Sequence, residues 1–90
     1  MLTREVDISF SIGIHSRPAV LLIQKMKEYP GNSFFLSKDG KKVNGLSLSG
    51  ILSLGITQGS RLAITVEGPR EEEAAEDILR LIRDVLPAER

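Results

Sequence analysis

The period of the hydrophobic residues changes across one short stretch, Gly13-Ile14-His15-Ser16-Arg17-Pro18-Ala19. Before it the chain alternates. Val6, Ile8 and Phe10 fall on one side and Glu5, Asp7 and Ser9 on the other, the pattern of a half-buried strand from Thr3 to Phe10. After it, Ala19, Leu22, Ile23 and Met26 recur at helical steps and make one apolar stripe on a helix beginning at Ser16. A chain that makes this switch must turn sharply between strand and helix. Gly13 supplies the backbone freedom, and Pro18 fixes φ within the first helical turn. Leu21 falls off the stripe at about 100° per residue, so it is expected to be exposed and to serve as a docking contact. Tyr29-Pro30-Gly31-Asn32 ends the helix, because proline disfavours helical geometry before it and glycine and asparagine favour a turn.

The remaining punctuation is equally readable. Phe34, Phe35 and Leu36 lie in a short strand from Ser33 to Ser37. Lys38-Asp39-Gly40 is a hairpin signal, since Asp-Gly tolerates positive φ, and Lys41 to Asn44 is the return strand with Val43 inward. Ser47 to Gly55 reads as a helix of one to two turns capped by Ser47, whose hydroxyl accepts from the first turn. Gln58-Gly59 is a turn, and Arg61 to Glu67 alternates again with Leu62, Ile64 and Val66 inward. Gly68-Pro69 opens a last helix with Pro69 as its first residue. Glu71, Glu72 and Glu73 in its first turn and Arg80 and Arg83 near its end suit the helix dipole. Ala75, Ile78, Leu79, Ile82 and Leu86 are its buried stripe, and Pro87 stops it. The order is β-α-β-β-α-β-α, an α+β fold in which an antiparallel sheet is covered on one face by helices.

Ninety residues without repeats, linkers or low-complexity tracts make one domain, residues 1–90. The chain has no cysteine and a single histidine. Disulfides, iron–sulfur clusters and thiolate zinc sites are therefore excluded, and neither a metal nor a cofactor is expected. No apolar run approaches the roughly 18 residues that span a bilayer, and the first residues lack the apolar core of a signal peptide. A cytoplasmic domain is expected. Net charge is zero, but residues 1–61 carry eight Lys/Arg against four Asp/Glu and residues 62–90 the reverse. The first two-thirds either present a mildly basic face to an acidic partner or phosphate, or merely solvate one end of a neutral protein.

The chemistry centres on His15. Imidazole titrates near neutrality and is nucleophilic when neutral. The first amide N–H groups of the helix beside it have no intrahelical partner, and the dipole favours an anion there by roughly 0.3–1 kcal/mol. Arg17 adds charge-assisted hydrogen bonds to phosphoryl oxygens. A lone histidine can equally be a cap or a surface residue, and an arginine at a helix start can simply pair with a nearby acid. Histidine, arginine and proline together at a helix mouth favour a site at which His15 accepts a phosphoryl group.

The same stretch resembles the active-site signature of the HPr family, the histidine-containing phosphocarriers of the bacterial phosphoenolpyruvate:sugar phosphotransferase system. The resemblance extends to Val43-Asn44-Gly45-Leu46-Ser47, to Gly50-Ile51-Leu52-Ser53-Leu54-Gly55 and to the element order, and so covers essentially the full chain. It implies an open-faced β-sandwich, a four-stranded antiparallel sheet with three helices packed on one face. It also implies that His15 is phosphorylated on Nδ1 by Enzyme I and passes the group to IIA components of sugar permeases, with Arg17 stabilising the phosphoryl group. Partners of the family dock on the exposed faces of the first two helices, which makes Ser16, Leu21, Leu48 and Ile51 candidate contacts; Leu48 and Ile51 fit a core role equally well. The carrier is expected to act as a monomer.

Ser47 aligns with the serine that HPr kinase/phosphorylase modifies in many Gram-positive relatives. A phosphate there would add about −1.5 to −2 charges inside a docking surface, although Ser47 is explained equally by its capping role. Some positions depart from the family pattern. Gly45-Leu46 stands where many regulated members carry a bulkier residue and a lysine, and Ser49 replaces a frequent apolar contact. Ile12 replaces a polar residue, and the Tyr29–Asp39 region is one residue longer. The competing role is a regulatory interaction protein of the same fold, in a nitrogen-type or dihydroxyacetone-kinase phosphorelay. Nucleic-acid binding is not expected, since Phe34 and Phe35 have no aromatic partner on an adjacent strand and no strongly basic stripe exists.

Overall fold

The alternating segments pair into one sheet. A computed structural model describes residues 1–9 and 16–88 of the chain. Strand β1 spans Leu2–Asp7, helix α1 Ser16–Met26, strands β2 and β3 Ser33–Lys38 and Lys41–Asn44, helix α2 Leu48–Ser53, strand β4 Arg61–Glu67 and helix α3 Glu71–Arg80. The sheet order is β1-β4-β2-β3, antiparallel throughout. Phe10, Ile12, Gly13, Ile14 and His15, on which the first turn and the reactive imidazole were placed, lie outside the described residues.

Register follows from the apolar alternation. Leu36 pairs with Ile64, Phe34 with Val66 and Val6 with Leu62, so the large side chains of β1, β2 and β4 share one face. That face is buried under Ala19, Leu22 and Met26 of α1 and Ala75, Ile78 and Leu79 of α3. The other face carries shorter or polar groups: Thr3 and Thr65 share a hydroxyl contact at 3.0 Å, and Lys42 lies 4.7 Å over the Phe35 ring. On the edge strand β1, Arg4 is paired with inward-facing Ile64 yet is exposed, its guanidinium turned onto the Thr3 carbonyl. A charge at an inward position blunts a sheet edge against further strand pairing. The β2–β3 hairpin turns at Asp39 and Gly40, with φ of 51° and 82°, the doubly left-handed turn that matches sheet twist.

Three expectations need correction. Leu21 is half-buried and packs on the core, as does Ile23. Centred on Leu22, these two flank the stripe symmetrically at about 100° on either side, and Val20 is the residue that faces outward. The last helix begins at Glu71, not Pro69. Gly68 leaves β4 at φ 148°, a Cβ there would collide with Asn32, and the Asn32 Oδ1 accepts from the Arg70 N–H. Arg70 thus becomes the residue whose carbonyl takes the first helical bond, from Ala74 at 2.9 Å. Glu71 reaches back to the Gly68 N–H and forward to the Met1 ammonium. At the other end, α3 does not run regularly to Pro87. It widens into a π-helical turn over Leu81–Val85 and tightens into a 3-10 turn over Leu86–Ala88, which keeps Leu81, Ile82 and Leu86 buried together. Among the described residues, no helix is long and apolar enough to cross a membrane.

Tyr29 ties the end of α1 to α3. Its ring is buried beneath the Arg70 guanidinium, 4.6 Å away, and its hydroxyl donates to the Asp77 carboxylate, which also accepts from Arg80 at 2.8 Å. Burial first, and then the bond to Asp77, push the phenol up to about 12. The same bond, acting against desolvation, holds the Asp77 carboxyl below its usual range. A phenol raised on folding contributes stability that is complete below its unfolded value and is lost as pH rises through the folded one. A depressed carboxyl contributes stability present above its unfolded value and lost as pH falls through the folded one. The urea midpoint should therefore drop above pH about 10 and again below about 4. Tyr29→Phe should show a shallower alkaline limb; identical limbs in the two proteins would remove this pairing from the account.

Candidate functional site

Helix α1 starts at Ser16, the residue directly after His15, and its first turn contains no acid. Ser16 and Arg17 are exposed, whereas Pro18 and Ala19 are buried against the core. The apolar stripe therefore fixes the orientation of the helix, and its first turn presents Arg17 to solvent. The first amides of a helix have no intrahelical partner, and such groups can receive an anion.

Helix α2 packs against α1 and supplies the second candidate position. Ser47 takes extended φ and ψ of −98° and 112°, and its Oγ accepts from the Gly50 N–H at 3.1 Å, so it is the N-cap that its sequence position suggested. Gly50 fits closely against this cap: a Cβ there would stand 3.1 Å from Ser47 Oγ and 3.2 Å from Val43 Cβ, so those neighbours would have to give by a few tenths of an ångström. The Ser49 hydroxyl lies 3.4 Å from that of Ser47. Asn44 shapes the approach to the helix by accepting from the Leu46 N–H at 2.8 Å.

The candidate contact residues divide. Leu48 is exposed, as are Leu46 and Leu52. Ile51 is 0% exposed and belongs to the core, so its assignment as a docking contact is corrected. The side chain that anchors α2 is Ile51; the ones it leaves exposed are Leu48 and Leu52, one turn apart on its outer side. Leu52 and Val20 were missed, and the i, i+4 spacing of Leu48 and Leu52 about a single inward Ile51 was the signal available for the first. Half of the eight basic residues of the first two-thirds lie around the β2–β3 hairpin and the adjoining start of β4. Lys38 and Lys41 bond to carbonyls at the end of α2, Lys42 covers Phe35, and Arg61 pairs with Glu5 at 3.2 Å. Among the described residues no cluster of histidine or carboxylate groups is arranged to hold a metal ion.

The architecture is an open-faced β-sandwich whose first two helices lie side by side with exposed apolar side chains. Residues 2–84 match the family model described as the PTS HPr component phosphorylation site. The chain is 38% identical over 82 residues to the phosphocarrier protein HPr of Borreliella burgdorferi, covering 91% of this chain and 94% of that protein. It is also 37% identical over 82 residues to the HPr-like protein Crh of Halalkalibacterium halodurans, covering 91% and 96%. The crystal structure of the phosphocarrier protein HPr from Bacillus anthracis superposes with a TM-score of 0.84 at 38% identity, over 91% of this chain and 96% of that one. The chain belongs to the HPr family of phosphocarriers of the phosphotransferase system.

Loss of the Ser47 hydroxyl leaves the Gly50 N–H without its acceptor. Ser47→Ala should lower unfolding free energy by about 1 kcal/mol, within the 0.5–2 kcal/mol typical of lost N-caps. Urea denaturation measures it, and a change indistinguishable from zero would show that the cap contributes nothing.

Proposed function

We propose that His15 is the phosphoryl acceptor of a phosphotransferase-system carrier that takes the group from Enzyme I and passes it to IIA components of sugar permeases. The observation that supports this most is the start of α1 at Ser16, immediately after His15, with exposed Arg17 and no acid in its first turn. Family membership supports the same chemistry. In the first step the neutral imidazole Nδ1 attacks phosphorus in line, and the N–P bond forms as the bond to the donor's leaving atom breaks. The helix amides and the Arg17 guanidinium offset the charge on the transferring oxygens. Transfer onward is the same displacement with the acceptor's nucleophile attacking and His15 leaving.

Docking on this reading uses Ser16 beside the histidine and the outward side chains of α1 and α2, chiefly Leu48, with Leu21 contributing only the part of its surface left uncovered by the core. The domain works in the cytoplasm as a monomer. Phosphorylation of Ser47 by HPr kinase/phosphorylase is a second control: the phosphate would sit where the cap now bonds Gly50, and its charge would disturb an acidic partner docking beside Leu48. A regulatory role in a nitrogen-type or dihydroxyacetone-kinase relay is the second reading. It is favoured by relatives named HPr-like that match this chain as well as the named carriers do.

Incubation with phosphoenolpyruvate and Enzyme I should give an acid-labile, base-stable phosphate that is absent from His15→Ala. Arg17→Lys, which keeps the charge but loses the fork, should be labelled more slowly with its fold intact. No label on the wild-type protein defeats the carrier reading. A label from the nitrogen-type Enzyme I alone selects the second. ATP-dependent labelling by the kinase that disappears in Ser47→Ala would establish the regulatory site.

A further inference from the structure

Helix α2 has little reason of its own to be a helix. Its six residues, Leu48-Ser49-Gly50-Ile51-Leu52-Ser53, include a glycine and two serines, and it falls well short of the roughly 12–15 residues at which even favourable sequences become marginally stable alone. Only Ile51 within it is buried, with Leu54 just beyond. Its first turn is closed by Ser47. At its other end the carbonyls of Ser53 and Leu54 are among the groups that a helix leaves without intrahelical donors, and that of Gly55 follows directly after them.

Two lysines from a distant part of the chain supply those donors. Lys38 Nζ donates to the Gly55 carbonyl at 2.8 Å and the Leu54 carbonyl at 3.3 Å, and Lys41 Nζ to the Ser53 carbonyl at 3.4 Å. These residues are cross-strand partners at the tip of the β2–β3 hairpin, so they reach the helix from one face of the sheet. The Lys38 side chain is 19% exposed, its stem covered and its ammonium directed at the carbonyls. Such bonds are charge-assisted, and a cation suits a helix C-terminus. Gly55 turns the chain away at φ 62°, which leaves the carbonyls open to the lysines.

We infer that Lys38 and Lys41 are positioning residues for α2, holding its C-terminal end on the β2–β3 hairpin so that Leu48 and Leu52 keep a fixed orientation toward a protein partner. The hairpin thus serves the docking helix without touching the partner itself. What α2 is positioned for rests on the carrier reading above; that it is held by these two ammonium groups does not.

Amide hydrogen exchange on the full chain tests the hold. In a Lys38→Met, Lys41→Met double variant, which keeps the apolar stems, the Leu54 and Gly55 amides should exchange faster by about tenfold or more, while Leu36 and Ile64 amides in the sheet keep their wild-type rates. The corresponding double arginine variant should retain slow exchange at α2. If the methionine pair unfolds the chain, Lys38→Met alone should give a smaller change confined to the same amides. No acceleration at α2, or equal acceleration throughout the sheet, overturns the inference. With phosphorylated Enzyme I as donor, the methionine variant should show a raised KM and an unchanged kcat; a loosened α2 with unchanged KM overturns the positioning role. A wild-type chain that takes no phosphoryl group is the failure of the carrier reading, whereas the exchange measurement is made on the unphosphorylated chain and is decided without it.

Discussion

One buried sheet face carries the molecule. Phe34 and Leu36 on β2, Leu62, Ile64 and Val66 on β4 and Val6 on β1 all point one way, and α1 and α3 lie across them. Because side chains alternate strictly along a strand, a slip of one residue in any of these pairings would turn the apolar set to water and charged groups inward. Register, strand order and the helix-covered side are thus one constraint rather than three. The open face follows from it: with both large helices spent on the inner side, the outer side carries threonines, a lysine over Phe35 and charged pairs.

The first two helices inherit their placement unequally from this frame. α1 is anchored by Pro18, Ala19, Leu22 and Met26 along its length, so its first turn and Arg17 are set by the core. α2 has one inward side chain, and its two ends are held by polar bonds, a serine at one and two lysines at the other. Gly45, just before it, packs so tightly that a Cβ would lie 3.0 Å from both Met26 Sδ and Phe34 Cβ, bringing the start of α2 close to α1. The helix that leaves two leucines exposed is therefore one with a single buried side chain beneath it. That combination suits a docking element, since side chains spent on the core are unavailable to a partner.

Several local features were legible in the residues because their signals are local. Ser47 as a cap, the Asp39-Gly40 turn and the change of period before Ser16 each depend on neighbours within a few positions, where backbone geometry decides the outcome. Leu21 was misjudged for a different reason, whereas Ile51, which fitted docking and core equally well, was decided by its burial. A helical wheel ranks positions around an axis, but whether a flank is covered depends on how wide the opposing surface is, and that surface is made of other elements. Leu21 and Ile23, on the two flanks of α1, both pack against the core, and nothing within Ser16–Met26 reports how wide that opposing surface is.

The amino-acid order alone determined the element sequence, the inward faces of the strands and the Ser47 cap of α2, since periodicity, turn chemistry and capping act over one or two turns of chain. Tertiary structure decided where α3 begins, which leucines remain outside and what closes the far end of α2. Those outcomes hang on contacts between residues well separated along the chain: Arg70 with Asn32, Tyr29 with Asp77, Lys38 with Gly55. Such partners meet only in the tertiary fold, so no local pattern in either member can announce the other.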